Sequence, residues 1–169
     1  MSDPLRPLRV NAVELLRQPG ATQELTLAFE AEPLGVDHER LSGDVDVDLS
    51  LEALNDGIRV TGTVSAPWST ECRRCLANIS GIAVAEIVEL YQREVVDPDA
   101  FLLEASQLDL SSMVREAILL ELDLERVCRD ECAGLCPACG IDRNEAECSC
   151  DTTVTDNRWS ALDGLVLDD

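Results

Sequence analysis

The sequence predicts an α+β fold, with a mostly antiparallel β-sheet, a few helices and a small cysteine-rich segment near the C-terminus. Three observations predict it. Apolar and polar residues alternate over residues 45–51 and 58–64, which is the pattern of strands with one solvated face. Apolar residues recur at helical spacing over residues 110–122. Eight cysteines occur as four close pairs.

The length of the chain bounds its organisation. Its 169 residues, 46% of them hydrophobic, suffice for one good-sized domain or for a domain with a small module. We expect an α+β body over residues 1–127, a cysteine-rich segment over 128–151 and an acidic tail over 152–169. Four apolar residues in the tail predict a segment that docks back on the body: Trp159, Leu162, Leu165 and Leu167.

The N-terminal elements are predicted to be a helix and then a strand. Val10, Val13 and Leu16 fall at helical spacing, and the Pro-Gly pair at residues 19–20 ends the helix. Residues 25–29 alternate between apolar and polar side chains, so we expect a strand there.

A β-hairpin is predicted over residues 43–66, with its turn at the Asn-Asp-Gly of residues 55–57. Its exposed face carries Asp44, Asp46 and Asp48. Alternate residues of one strand lie about 7 Å apart, too far for a tight oxygen cage around a cation. We therefore interpret these aspartates as a solvated sheet face.

The second half of the body is predicted to hold a strand, a connection and a helix. The strand covers residues 82–91, the charged connection covers 93–108, and the helix at 110–122 packs on the sheet. Three polar residues offer N-caps for this helix: Asp109, Ser111 and Ser112.

The N-terminus and the hydropathy predict a cytoplasmic protein. The first residues lack the apolar stretch of a signal peptide. No apolar run approaches the roughly 18 residues of a membrane span, so we expect no membrane association. Because thiols stay reduced in the cytosol, eight cysteines predict metal ligands or redox thiols before disulfides.

The charge of the chain constrains its partners. It carries 34 acidic and 13 basic residues, a net charge of −21, and every basic residue is arginine. Such a surface repels phosphates, so direct RNA binding is disfavoured, although not excluded. A basic protein partner would be attracted to it. The alternative is that the charge serves solubility alone.

The cysteines have the spacing of zinc ligands. Four thiolates at the corners of a tetrahedron suit zinc, and a CxxC turn presents two of them to one ion. Gly140 lets the chain leave the turn of Cys139, so the Cys-Pro-Ala-Cys-Gly element predicts a zinc knuckle. The four pairs are Cys72 with Cys75, Cys128 with Cys132, Cys136 with Cys139, and Cys148 with Cys150.

Four pairs can share two metals in three ways, and loop length favours one of them. The last two pairs are joined by a short loop that closes at low entropic cost. This predicts one site of Cys136, Cys139, Cys148 and Cys150. The remaining site, across a loop of about fifty residues, is Cys72, Cys75, Cys128 and Cys132. Both would be structural, with all four positions filled by protein. Four arginines near the pairs could offset the negative charge of such sites: Arg73, Arg74, Arg129 and Arg143.

Three other uses of the cysteines remain open. Arginine neighbours would favour the thiolate of Cys72 or Cys75 for redox catalysis, although no strand–CxxC–helix pattern surrounds them. Four cysteines could equally ligate an iron–sulfur cluster. A disulfide framework would require an oxidising compartment. Catalysis has little other support, because His38 is the single histidine, in a polar loop, and no nucleophile or phosphate-loop motif occurs.

The order of these elements resembles the bacterial YceD family. A C-x-R-C-L element is matched by residues 72–76, and a G-L-C-P-x-C-G element by residues 134–140. Residues 7–20 are similar to the actinobacterial branch of the family. Asp123 stands where the family pattern usually has proline, which loosens the expected exit from the helix. The resemblance covers nearly the whole chain.

The resemblance implies a non-enzymatic factor in large ribosomal subunit biogenesis, tied to accumulation of the large-subunit rRNA. With the charge of −21, we expect it to bind a basic ribosomal protein or another assembly factor. The alternative function is a thiol redox or metal-handling enzyme that uses Cys72 and Cys75. A zinc-bearing DNA regulator would need a basic face, and the cysteine segments carry none.

Overall fold

The computed structural model of the protein describes residues 5–95, 98–103, 106–152 and 158. Seven β-strands and one α-helix lie within these residues, which confirms the predicted α+β class. The elements are β1 (Arg9–Asn11), β2 (Thr22–Phe29), β3 (Val45–Ala53), β4 (Gly57–Glu71), β5 (Asn78–Gln92), β6 (Phe101–Leu102), β7 (Gln107–Asp109) and α1 (Ser111–Asp123).

The main sheet has five strands in the order β2-β3-β4-β5-β6, and β1 and β7 form a separate two-stranded ribbon. All pairs are antiparallel except β5 with β6. The predicted hairpin is confirmed as β3 and β4, although β4 continues beyond it to Glu71. There β4 turns through Cys72 and Cys75 into β5 and pairs with it from Gly57↔Gln92 to Glu71↔Asn78.

The alternation of β3 separates a core face from an exposed face. Asp46 and Asp48 are exposed, as the sequence predicted, and the carboxylate of Asp48 accepts a hydrogen bond from the Thr26 hydroxyl at 3.3 Å. The intervening side chains enter the core: Val45, Val47, Leu49 and Leu51.

Helix α1 covers the inner face of β4 and β5. Its buried stripe consists of Met113, Val114, Ile118 and Leu122. Before its first turn, the Asp109 carboxylate accepts a hydrogen bond from the Ser111 N–H at 2.9 Å. At the other end, Arg40 donates to the carbonyl oxygens of Leu122 and Leu124 at 2.9 and 3.0 Å. These bonds satisfy carbonyls that the helix itself leaves without partners.

The predicted N-terminal helix is wrong. Residues 9–11 form β1, and a single 3₁₀ turn follows at Leu15–Arg17. Val10 pairs with Leu108 of β7, a strand that begins inside the predicted connection over 93–108. The helical spacing was misleading because the pairing partner lies far along the chain, where no local pattern reveals it.

The predicted division into body, cysteine-rich segment and tail stays a prediction. The expected docking of Trp159, Leu162, Leu165 and Leu167 lies outside the described residues. Within the described part of the chain, no helix is long and apolar enough to cross a membrane.

Candidate metal centres

The eight cysteines come together in two groups of four. The first centre consists of Cys72, Cys75, Cys128 and Cys132, and the second centre of Cys136, Cys139, Cys148 and Cys150. In each centre, all four sulfur atoms lie within 4.8 Å of one another. This is the grouping that loop length favoured in the sequence.

The sulfur spacing fits a single tetrahedral ion. In the first centre, Cys72 Sγ lies 3.9 Å from Cys132 Sγ, and Cys75 Sγ lies 3.7 Å from Cys128 Sγ. A tetrahedron with metal–sulfur bonds of about 2.3 Å has edges of about 3.8 Å. A disulfide would bring two sulfurs to about 2.05 Å, and all eight cysteines are free thiols.

The first CxxC forms a compact knuckle at the end of the β4–β5 hairpin. The N–H of Cys72 donates to the carbonyl of Ala77 at 2.8 Å, and the N–H of Leu76 donates back to Cys72 at 2.9 Å. These two bonds close the turn, so that the sulfurs of Cys72 and Cys75 point to the same side.

The second CxxC repeats this bonding. The N–H of Cys136 donates to Ile141 at 2.9 Å, and that of Gly140 donates back to Cys136 at 2.8 Å. The residue after the second cysteine is left-handed in both knuckles, with φ of 75° at Gly140 and 60° at Leu76. Glycine adopts this conformation without strain, whereas a leucine pays about 1–2 kcal/mol for it.

Backbone N–H groups stabilise the thiolate of Cys72. The N–H groups of Arg74 and Cys128 lie 3.4 and 3.3 Å from its sulfur. Together with the N–H of Cys75, which has the largest effect, they lower the pKa of Cys72 to about 6. In the second centre, the N–H groups of Cys139 and Ala138 lower the pKa of Cys136 to about 6. Metal ligation requires the thiolate form that these bonds favour.

Two further thiols, those of Cys128 and Cys150, show the electrostatic cost of packing four sulfurs together. A hydrogen bond with Cys132, followed by partial desolvation, raises the pKa of Cys128 to about 12. In the second centre, a hydrogen bond with Cys139, followed by partial desolvation, raises the pKa of Cys150 to about 12. Four thiolates cannot coexist in so small a volume unless a cation compensates their charge. Each centre therefore has the electrostatics of a cation site.

The two centres differ in burial. Cys72, Cys75 and Cys132 are buried in a small apolar cluster of their own, and Cys128 is exposed. In the second centre only Cys136 is buried, whereas Cys139 and Cys150 are exposed. Three partly buried residues pack around the first centre: Ile79, Val127 and Leu135.

The arginines near the cysteines hold loops in place. The guanidinium of Arg74 donates to the carbonyls of Asp130 and Cys132 at 2.7 and 3.2 Å. The N–H of Arg73 donates to the carbonyl of Arg126, just beyond α1, at 3.1 Å. The first centre thus joins the hairpin end to the segment that leaves the helix.

Asn144 is a functional residue that the sequence analysis missed. It lies in the loop between Cys139 and Cys148, yet its side-chain N–H₂ donates to Cys132 Sγ of the first centre at 3.4 Å. Its side-chain oxygen accepts bonds from Arg129 at 2.7 Å and from the Ala133 N–H at 2.9 Å. Nothing in the local sequence distinguishes this asparagine from a surface residue, because its partner belongs to the other centre.

A comparison with protein families shows which family this chain belongs to. The family described as "Large ribosomal RNA subunit accumulation protein YceD" matches residues 60–166, a range that contains most of β4, all of β5 and α1, and all eight cysteines. The chain belongs to the YceD family. The family predicted from the sequence is thereby confirmed.

Individual relatives extend the likeness beyond the family match. An uncharacterized protein of Mycobacterium tuberculosis is 34% identical over 150 residues, which cover 80% of this chain and 70% of the relative. An uncharacterized protein of Mycobacterium leprae is 30% identical over 103 residues, or 57% of this chain and 48% of the relative.

A plant relative carries the family name. The "Large ribosomal RNA subunit accumulation protein YCED homolog 1, chloroplastic" of Arabidopsis thaliana is 29% identical over 62 residues, covering 37% of this chain and 19% of the relative. No solved structure gives a significant match.

Proposed function

We propose that this protein is a non-enzymatic accessory factor in large ribosomal subunit biogenesis, which acts in the cytoplasm and supports accumulation of the large-subunit rRNA. Its cysteines hold two structural zinc ions. The observation that carries the metal assignment is the pair of four-thiol centres, each with its sulfurs within 4.8 Å of one another, together with the tetrahedral sulfur spacing of the first centre. Membership of the YceD family supports the ribosomal role.

The size of each centre favours one zinc ion over an iron–sulfur cluster. A regular tetrahedron with an edge of 4.8 Å, an upper bound on the sulfur separations, places its corners about 2.9 Å from its centre. This volume suits a single ion, whereas a cluster must also accommodate several irons and their bridging sulfides.

The ligand set favours a structural role. Four cysteines fill all four positions of a zinc ion and leave none for substrate or water. The ions would instead stabilise the knuckles and tie the hairpin end to the segment after α1.

The charge supports a basic protein partner. A net charge of −21 repels the phosphates of rRNA but attracts a basic ribosomal protein or a basic assembly factor. The chain would then act on the rRNA indirectly, through the basic partner protein that it delivers or holds.

Metal analysis and partner capture test this proposal. We expect about two zinc ions per chain, with few reactive thiols until a chelator is added. Affinity capture of the tagged protein should recover a basic large-subunit protein or assembly factor that survives nuclease treatment. A partner that disappears entirely with nuclease would identify RNA as the ligand and contradict the proposed mode of action.

A second candidate is a thiol enzyme that uses Cys72 and Cys75. The pKa of Cys72, lowered to about 6 by backbone N–H donors, favours it. The complete burial of Cys72 argues against it, because a substrate could not reach the sulfur. A metal-free preparation with one rapidly alkylated thiol would favour the enzyme.

A further inference from the structure

Most of one edge of strand β5 is covered by no other strand in the described part of the chain. Strand β4 pairs with β5 along its whole length on one side. On the other side, β6 pairs with Tyr91 and Gln92 alone. An edge of this length offers a row of backbone N–H and C=O groups to an added strand.

A groove of about 270 Å³ runs between this edge and α1. The exposed side chain of Leu120, with 71% of its surface accessible, lies on the helix side of the groove. Five further apolar residues line it: Ala85, Ile87, Phe101, Met113 and Ala117.

Apolar side chains also flank the edge on the opposite face of the sheet. Ile82, Val84 and Val88 point outward from β5, with exposed fractions of 61%, 49% and 75%, and Glu86 lies between Val84 and Val88 on this face. The side chains of an added strand would alternate between the groove and this outer stripe, so both of its faces would find apolar contacts. Apolar surface on both sides of an open edge is the arrangement that strand addition uses.

The groove is acidic. Glu86, Glu89, Glu116 and Glu121 line it, and no arginine does among the described residues. Glu121 has an ion pair with Arg126 at 3.7 Å. The pKa of Glu89 is raised by burial and then by repulsion from Asp99 and Glu116. A cation brought into the groove would relieve this repulsion.

We propose that a basic, extended segment of a partner protein adds to the sheet as a strand along β5, with apolar residues and arginine or lysine side chains in the groove against α1. The proposal rests on the proposed function, in which the partner is a basic ribosomal protein or assembly factor. It names the surface and the binding mode.

The acidic lining also selects against other occupants. A second copy of this edge would bring Glu86 and Glu89 against the same carboxylates. An RNA strand would bring phosphates to a negative surface.

Peptide binding to the full-length protein tests the proposal. The probes are short overlapping peptides that cover the basic proteins of the large ribosomal subunit, with binding measured by fluorescence anisotropy. Each binding peptide is compared with a version that is N-methylated at alternate residues. That version keeps every charge but loses backbone donors, so we expect about a tenfold or greater loss of affinity.

A charge-matched pair of variants locates the site. Leu120→Lys adds a positive charge at the groove and should weaken peptide binding by about tenfold. Thr26→Lys adds the same charge on the exposed face of β2, three strands or about 14 Å from β5, and should change affinity by less than about twofold. Both side chains are exposed, so neither variant should impair folding.

These experiments can overturn the groove proposal without overturning the proposed function. The proposal is overturned if N-methylation does not change peptide binding and both lysine variants weaken it equally. Attraction by net charge alone would then explain the data. A set of peptides that do not bind at all also overturns it. If Leu120→Lys still captures the nuclease-resistant basic partner at the wild-type level, the groove proposal fails while the proposed function stands.

Discussion

The two cysteine centres share one local geometry but sit in very different surroundings. Both knuckles close with the same pair of backbone hydrogen bonds, within 0.1 Å of one another in length. The first centre buries three of its four cysteines among apolar side chains, whereas the second exposes two of its four. The knuckle is therefore a local property of the chain, and its burial is not.

The loops explain what each centre can stabilise. The first centre joins cysteines across about fifty residues, a connection that carries all of β5 and α1, so an ion there would restrict a large part of the unfolded chain. The second centre closes a short local loop. Loss of the first should therefore affect the whole body, and loss of the second should affect mainly the cysteine-rich segment.

The largest effect is expected from Cys72→Ser compared with Cys148→Ser. Cys72→Ser should lower the free energy of unfolding by more than about 4 kcal/mol, since it removes a ligand from the buried centre. Cys148→Ser should cost about 1–2 kcal/mol and leave the sheet folded. Denaturant unfolding followed by circular dichroism, with zinc content measured in parallel, checks both. Equal costs would contradict the distinction between the centres.

The two centres should differ in the rate at which they release zinc to a chelator. We expect a chelator to remove zinc in two phases, with the exposed second centre losing its ion about tenfold or more faster than the buried first centre. A colorimetric zinc indicator measures the release. Cys148→Ser should lack the fast phase, and a single phase in the wild type would show that the centres open together.

Asn144→Ala should weaken the connection between the centres. The change removes the donor to Cys132 Sγ and the acceptor for Arg129 and Ala133, so we expect a loss of about 1–2 kcal/mol in unfolding free energy. Both zinc ions should remain, but the slow phase of zinc release should accelerate. An unchanged slow phase would mean that Asn144 holds only its own loop.

The smallest effects are expected at the left-handed residues of the knuckles. Gly140→Leu places a branched side chain at φ of 75° and should cost about 1–2 kcal/mol. Leu76→Gly relieves the same strain but raises the conformational entropy of the unfolded chain. Its net effect on the free energy of unfolding should therefore stay below about 1 kcal/mol. Thermal unfolding of the two variants checks this, and a large loss for Leu76→Gly would show that the leucine side chain itself stabilises the knuckle.

Local patterns predicted the elements that depend on near neighbours. The hairpin of β3 and β4, the helix α1 and the grouping of the cysteines were all predictable, because each follows from alternation, helical spacing or a short loop. The N-terminal helix was predicted wrongly, since Val10 belongs to a strand whose partner Leu108 lies far along the chain. Asn144 was missed because the sulfur that it contacts, Cys132 Sγ, belongs to the other centre.

By itself, the sequence determined the strand and helix periodicities, the four cysteine pairs and the charge of −21, because these depend on residue type and short-range spacing. Only the tertiary structure decided which knuckle is buried, which asparagine bridges the centres and which edge of the sheet stays open beside an acidic groove. Those features arise where residues from separate segments pack together, because burial and electrostatic repulsion depend on contacts that form only when the chain folds.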